Sequence, residues 1–344
     1  MIMKAARLYS PGQPLVVESV PVTAPGPGEV MIRVKSCGIC GSDLHMQQGA
    51  ISPTKLPLTL GHEASGVVEE VGAGVSLWKL GDRVCVVPAL TCNICRYCRM
   101  DRPTLCENFT ALGTNIDGAF AEYLTVPATC LVELPREIGF EEGALAADAV
   151  ATPYHAIACR ANLKSNETVA VIGCGGLGSH AIKLAYLLGA GSVAAIDVSE
   201  AARERALRWG ASVAVAPSKE ELRGILTPGG PGPFDVVLDF VGSPEALAVA
   251  FRIAARGARI VIVGLSREPV SGGRSAGLVG TELTIMGSFG AHPRDVEQVL
   301  AFASSGRLVL KESVDKVLPL DQINDALTEM IQRRGEYVRY VVAP

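Results

Sequence analysis

The chain has 344 residues, 49% of them hydrophobic and 19% charged, with a net charge of -4 at pH 7. That length exceeds what one core fills, about 250 to 300 residues, so two domains with a cleft between them are expected. The mild, dispersed charge excludes a nucleic-acid surface, and no apolar run reaches the roughly 18 to 20 residues that span a bilayer.

The chain begins Met1-Ile2-Met3-Lys4-Ala5-Ala6-Arg7 and continues Tyr9-Ser10-Pro11-Gly12 rather than into an apolar signal core. A soluble, cytoplasmic protein without a membrane partner is expected. Ten cysteines in such a chain favour metal or catalytic thiolates over a disulfide frame.

The first 135 or so residues carry short β-like runs, such as Val30 to Val34 and Ala64 to Val71, punctuated by Pro and Gly. They predict a small antiparallel barrel. Within this stretch Cys92, Cys95, Cys98 and Cys106 form C-x2-C-x2-C-x7-C in a loop-rich segment. Four thiolates suit a closed tetrahedral zinc site that serves folding, because they leave no position for water. An iron–sulfur cluster also uses closely spaced cysteines, and metal analysis separates the two.

From about Asn166 the texture changes to apolar runs alternating with helical patterns: Val169 to Ile172, Val193 to Asp197, Val213 to Val215, Val236 to Asp239, Ile260 to Val263 and Leu283 to Met286. Six strands separated by helices predict a doubly wound parallel sheet. Gly173-Cys174-Gly175-Gly176-Leu177-Gly178 follows the first of these strands and opens a helix at Ser179. There the first glycine makes the tight turn, the second lets backbone approach a diphosphate and the third lets the helix pack on the strand. The diphosphate then sits on a helix amino end. Asp197, closing the next strand, can accept hydrogen bonds from ribose hydroxyls and repels a 2'-phosphate, so NAD is expected rather than NADP. The plainer alternative is a turn followed by a solvated strand end. Beyond Gly290, two helical stretches, Asp295 to Ser304 and Asp321 to Gln332, precede a strand-like run from Tyr337 to Val342 and are expected to return to the first domain.

Cys37-Gly38-Ile39-Cys40-Gly41-Ser42-Asp43-Leu44-His45, then Gly61-His62-Glu63, then Asp148-Ala149-Val150-Ala151-Thr152-Pro153-Tyr154, complete a set of motifs in order along almost the whole chain. In them the chain resembles the zinc-dependent medium-chain alcohol dehydrogenases. The resemblance implies a GroES-like barrel domain over 1–153 and 291–344 and a Rossmann domain over 154–290.

It further implies Cys40 and His62 as ligands of a catalytic zinc, with Asp148 where the family usually has a cysteine. Carboxylate is an acceptable zinc ligand and leaves the ligand charge unchanged. Glu63 is an alternate ligand or stands just behind the metal, and Asp43 orients the His62 ring. Cys37 is implied to be a buried non-ligand. Ser42 and His45 match the family's proton relay, Thr152 its nicotinamide contact, Val241 its adenosine-side contact and Arg339 its pyrophosphate contact.

The implied activity is reversible oxidation of an alcohol to an aldehyde or ketone: zinc lowers the pKa of the bound alcohol and the alkoxide passes hydride to NAD. A polyol or threonine dehydrogenase of the same family is the alternative, and a homotetramer is the implied assembly. A zinc-free reductase or regulatory protein would lack Cys40, His62 and the four-cysteine lobe. A metal-storage module would not need the dinucleotide fingerprint.

Overall fold

The computed structural model describes residues 1–269, 271, 273–333 and 335–344. The chain divides into two compact units, one of Met1–Ala151, Gly290–Gln332 and Arg339–Pro344, the other of Thr152–Phe289 and Arg333–Val338.

The first unit is built on the strand Glu29–Ile39, whose Val30, Met31, Ile32, Val34 and Ile39 are buried. It pairs antiparallel with Glu63–Val71, Tyr123–Pro127 and Arg339–Ala343. Arg83–Val86 and Leu131–Glu133 extend the sheet beyond Glu63–Val71. The ladder between Glu29–Ile39 and Glu63–Val71 shifts register twice, at Met31/Ile32 and Val34/Ser36. Such bulges bend and twist a sheet, the curvature a barrel requires. Gly66 is obligatory at this pairing, because a Cβ there would lie 2.2 Å from the Arg33 carbonyl oxygen. A second sheet of three strands sets Ile2–Leu8 between Val16–Pro21 and Leu58–Thr59.

The chain does return to this unit after Gly290, as two helices, Pro293–Ser304 and Ile323–Gln332, and the strand Arg339–Ala343. One strand was not foreseen. Val314–Pro319 joins the sheet edge parallel to Arg339–Ala343, so the sheet is mixed rather than purely antiparallel.

In the second unit all six expected strands form, and every pairing is parallel. Their spatial order is Val213–Val215, Ser192–Ile196, Thr168–Ile172, Phe234–Asp239, Ala254–Ile262, Thr284–Gly287. Numbered along the chain this is 3-2-1-4-5-6, and the order reverses beside the first strand, where such sheets bind ligands at the strands' carboxyl ends. Ala170, Ile172, Ala194, Ile196, Val237 and Ile260 from the strands meet Leu222, Leu247 and Ile253 from the helices. Each fully buried Ile or Leu contributes about 1.5 to 3 kcal/mol to the core. Three helices start on serine caps: Ser199 accepts from the Ala202 amide, Ser218 from Glu221 and Ser243 from Ala246. Each cap is worth about 1 kcal/mol.

Candidate metal centres and dinucleotide loop

Four segments of the first unit converge on one cluster. Cys40 ends the central strand's run and caps the helix Gly41–Gln47, its amide donating to Asp43 Oδ2 at 2.8 Å. His62 and Glu63 follow Gly61, whose φ of +88° and whose contact with Phe120, 2.5 Å from where a Cβ would stand, admit only glycine. Asp148 lies in a π-helical turn, Ala146–Val150, that continues the helix Phe140–Leu145. Single π turns inside helices often mark functional positions. Arg339 arrives on the last strand.

The two edges of the His62 ring face two carboxylates. Nδ1 is 3.5 Å from Asp43 Oδ1, and Nε2 is 3.6 Å from Asp148 Oδ2. Asp43 Oδ1 also accepts from the Gly61 amide at 3.2 Å, so with the Cys40 amide on Oδ2 both carboxylate oxygens are fixed. Ser42 Oγ lies 3.5 Å from His62 Nε2. One ligand atom each from Cys40, His62, Glu63 and Asp148 lie within 4.8 Å of one another. Tetrahedral zinc with N and O bonds of about 2.0 to 2.2 Å sets neighbouring ligand atoms about 3.3 to 3.6 Å apart, so the His62–Asp148 separation fits.

The electrostatics fit a cation as well. Burial works against the charged His62 ring, yet Asp43, Asp148 and Cys40 outweigh it and hold the imidazole well above its usual pKa. Burial likewise opposes the Cys40 thiolate, but Arg339 and His62 bring the thiol down. Glu63 is fully buried, burial pushes its pKa well up, and neither carboxylate oxygen has a hydrogen-bond partner. A pocket crowded with acidic groups and orphaned oxygens is satisfied by a divalent ion.

Cys92, Cys95, Cys98 and Cys106 also gather, on a loop closed at its base by the ribbon Ala89–Leu90 with Thr110–Ala111. The Cys95–Cys98 and Cys92–Cys106 sulfurs are each 3.5 Å apart, and none of the four is in a disulfide. Zinc–sulfur bonds of about 2.3 Å put sulfurs about 3.8 Å apart, close to what is seen. The Ile94 and Cys95 amides lower the Cys92 thiol to about 6, whereas desolvation and the neighbouring sulfurs push Cys98 up to about 12. A cation bound among them would hold the thiols as thiolates.

The glycine-rich turn of the second unit has the geometry its residues require. Gly173 has φ +84° and a Cβ on it would meet Val241 at 2.6 Å; a Cβ on Gly178 would lie 1.9 Å from the Gly173 carbonyl oxygen. Around Gly175, by contrast, a Cβ would touch nothing, which leaves the space a diphosphate fills at the start of the helix Gly176–Leu187. Gly176 and Leu177 lie in that helix's first turn, half-buried. Asp197 Oδ2 accepts from the Cys174 amide at 2.6 Å and Oδ1 from the Ser199 amide at 2.8 Å. Each carboxylate oxygen retains a further lone pair for a ribose hydroxyl.

Other expected residues stand as follows. Cys37 is fully buried, and burial raises its thiol pKa. His45 is half-buried in the last turn of the helix Gly41–Gln47. Thr152 is buried at the start of the second unit. Arg339, expected at the pyrophosphate, sits on the last strand of the first unit. It is 3% exposed inside the first unit, donates to the Ile39 carbonyl at 3.1 Å and lies 3.3 Å from Glu63. The Ile39 carbonyl accepts one of its hydrogen bonds, and the buried Glu63 carboxylate beside the metal cluster offers opposite charge at ion-pair range without a hydrogen bond. Sequence reasoning missed this pairing, since nothing local in either segment announces the other.

A barrel unit holding a Cys–His–carboxylate cluster and a four-thiol lobe, with a dinucleotide-type sheet as the second unit, defines a class of two-unit metal-dependent oxidoreductases. Family descriptions agree: residues 26–136 match the alcohol dehydrogenase GroES-like domain and residues 176–305 the zinc-binding dehydrogenase domain. The chain belongs to the zinc-dependent medium-chain alcohol dehydrogenase family.

Among its relatives, an NAD-dependent alcohol dehydrogenase of Sulfurisphaera tokodaii is 33% identical over 95% of this chain and 96% of its own. A sorbitol dehydrogenase of Bacillus subtilis is 32% identical over 99% and 97%. Among solved structures, the cobalt- and zinc-bound thermostable alcohol dehydrogenase of Pyrobaculum aerophilum matches with a TM-score of 0.88 at 32% identity, covering both chains fully.

Proposed function

We propose that this chain catalyses the reversible NAD-linked oxidation of an alcohol to an aldehyde or ketone, with one zinc ion held by Cys40, His62 and Asp148 and a second held by Cys92, Cys95, Cys98 and Cys106. The observation that carries the reading is the donor set around His62: thiol, imidazole and carboxylate ligand atoms within 4.8 Å of one another, with a second carboxylate behind the ring. Such a three-ligand site supplies, when zinc is bound, Lewis acidity toward an alcohol or carbonyl oxygen.

The chain's own residues then have separable tasks. Asp43 accepts the Nδ1 proton of His62 and so presents Nε2 to the metal. Ser42, beside Nε2, would accept the proton of the substrate hydroxyl while giving up its own, and His45 on the same helix would release a proton to solvent, the cofactor ribose standing between the two when it is bound. The turn Gly173–Gly178 binds the cofactor diphosphate, Asp197 the ribose, and Val241, packed on Gly173, lines the adenosine side.

Following the absorbance of reduced nicotinamide in zinc-loaded enzyme offered primary and secondary alcohols tests this reading. Turnover with NAD, lost on chelation, is expected; inactivity toward every alcohol, aldehyde and ketone rejects it. A polyol substrate is the second reading, favoured by the Bacillus subtilis relative and by the buried Glu63 beside Cys40, whose oxygens accept no hydrogen bond although Arg339 stands 3.3 Å away. Sorbitol and threonine in the same panel separate the two.

We also propose a homotetramer using the sheet edge at Thr284–Gly287, where Ile285 is exposed, and a cytoplasmic location. Among the described residues no helix is long and apolar enough to cross a membrane.

A further inference from the structure

The helix Glu200–Arg208 buries Ala202, Arg205 and Ala206, so an arginine stands on its inner face where a packed helix normally places an apolar residue. Arg205 is 7% exposed. Its Nη2 donates to the Cys174 carbonyl at 2.8 Å, its Nε to Ser179 Oγ at 3.3 Å and its Nη1 to the Gly335 carbonyl at 2.9 Å. Ser179 Oγ also donates to the Cys174 carbonyl, at 2.8 Å, while the Cys174 amide is held by Asp197.

Cys174 is the residue between the glycine that turns the chain and the glycine that opens onto empty space. Both ends of its backbone unit are therefore clamped, one by Asp197 and the other by Arg205 with Ser179. The Gly335 segment is seated on the same helix independently: its φ is +89°, and a Cβ there would lie 2.5 Å from Ser199 Oγ. Burying a guanidinium is costly unless its donors are satisfied. A planar fork can serve three acceptors in fixed directions, which a lysine ammonium or an apolar side chain cannot. Filling the core does not require it; fixing the loop does.

We propose that Arg205 is a positioning residue of the dinucleotide site. It holds the Cys174 carbonyl so that the loop amides face a diphosphate before one arrives, and it ties the Gly335 segment to that arrangement. Preorganised donors bind an anion without the cost of ordering them first. Arg205 acts through the loop and touches no cofactor itself. The inference rests on the dinucleotide reading above.

The test is calorimetric titration of ADP-ribose and of adenosine into the zinc-loaded full-length protein, comparing wild type, Arg205→Met and Arg205→Lys, with melting temperatures recorded alongside. Hydrogen bonds from charged groups are strong enough that ADP-ribose should bind about tenfold or more weakly in both variants. Adenosine, which lacks the diphosphate, should change less than about twofold, since its contacts lie outside the clamped turn. Should Arg205→Met fail to fold, Arg205→Lys, which keeps charge and stem, decides. Unchanged ADP-ribose affinity in the variants, or an equal loss for adenosine, overturns the positioning role and leaves the dinucleotide site standing. A wild-type protein that binds neither ADP-ribose nor NAD overturns the dinucleotide reading itself.

Discussion

Asp43 Oδ1 stands 3.5 Å from Nδ1 of His62, on the edge of the ring opposite Asp148. That contact selects the tautomer in which Nε2 carries the lone pair. Replacing Asp43 by Asn keeps its shape, but its single oxygen can accept from only one of the Cys40 and Gly61 amides, which in Asp43 use different oxygens, and the charge behind the ring is removed. Losing such a partner costs about 10- to 100-fold in metal affinity. Chelator competition should show one of two zinc ions released that much more readily in Asp43→Asn; equal release from wild type and variant refutes the ring-orienting role.

Asp148 presents its carboxylate to Nε2 with its side chain 14% exposed. As a ligand it should be replaceable by Cys, which restores thiolate donation with the same charge, and not by Ala. Elemental analysis of Asp148→Ala should find about one zinc per chain, retained by the four-thiol lobe, and two in Asp148→Cys. A Lewis acid contributes several kcal/mol to such a reaction, so kcat/KM of Asp148→Ala should fall by about 100-fold or more. Two firmly bound zinc ions in the alanine variant would mean that Glu63 completes the sphere instead.

These centres were unequally legible in the sequence. The parallel strands announce themselves as β-branched and alanine runs between glycines, because a strand buried on both faces must be apolar throughout. The four-cysteine lobe is equally plain, since its ligands lie on one short loop. Val314–Pro319 was not, because Val-Asp-Lys-Val-Leu-Pro is mostly exposed with no apolar alternation and its partner, Arg339–Ala343, lies beyond an intervening helix. Arg205 was hidden for a related reason: in Glu-Ala-Ala-Arg-Glu-Arg-Ala-Leu-Arg one buried cation looks like its solvated neighbours. Arg339 likewise could be read only by its place on the last strand; its burial beside Glu63 was not legible from either segment. Asp148 came from motif order alone; the π turn that presents it leaves no mark in residue types.

In the proposed cofactor site Asp197 would have two tasks, and they make a sharper prediction than ribose binding alone. Its Oδ2 holds the Cys174 amide at 2.6 Å, so Asp197→Ala loses both the ribose acceptor and one clamp of the diphosphate loop. The KM for NAD should rise by more than tenfold, as expected from losing hydrogen bonds to a charged acceptor. NADP should gain nothing, because a loosened loop binds its diphosphate poorly too. Steady-state kinetics with both cofactors check this, and an unchanged KM for NAD sinks the assignment.

Cys85 and Cys130 predict an alkaline limit to stability. Burial raises both thiols, Cys130 to about 12, and each donates to a backbone carbonyl, Gly143 for Cys85 and Ala89 for Cys130. The folded chain thus keeps these protons after the unfolded chain, with ordinary thiol pKa values near 8.5, has lost them. The unfolded state then binds fewer protons, so stability is fully present below about pH 8.5 and falls as pH rises toward the folded values. Each thiol contributes a slope of at most about 1.4 kcal/mol per pH unit in that window. Urea midpoints of the zinc-loaded protein should therefore drop between about pH 9 and 11. In Cys85→Ala with Cys130→Ala the starting stability is lower, because two small buried groups are gone, but the decline with pH should be shallower. If the double variant loses stability with pH as steeply as wild type, other groups set the alkaline limit.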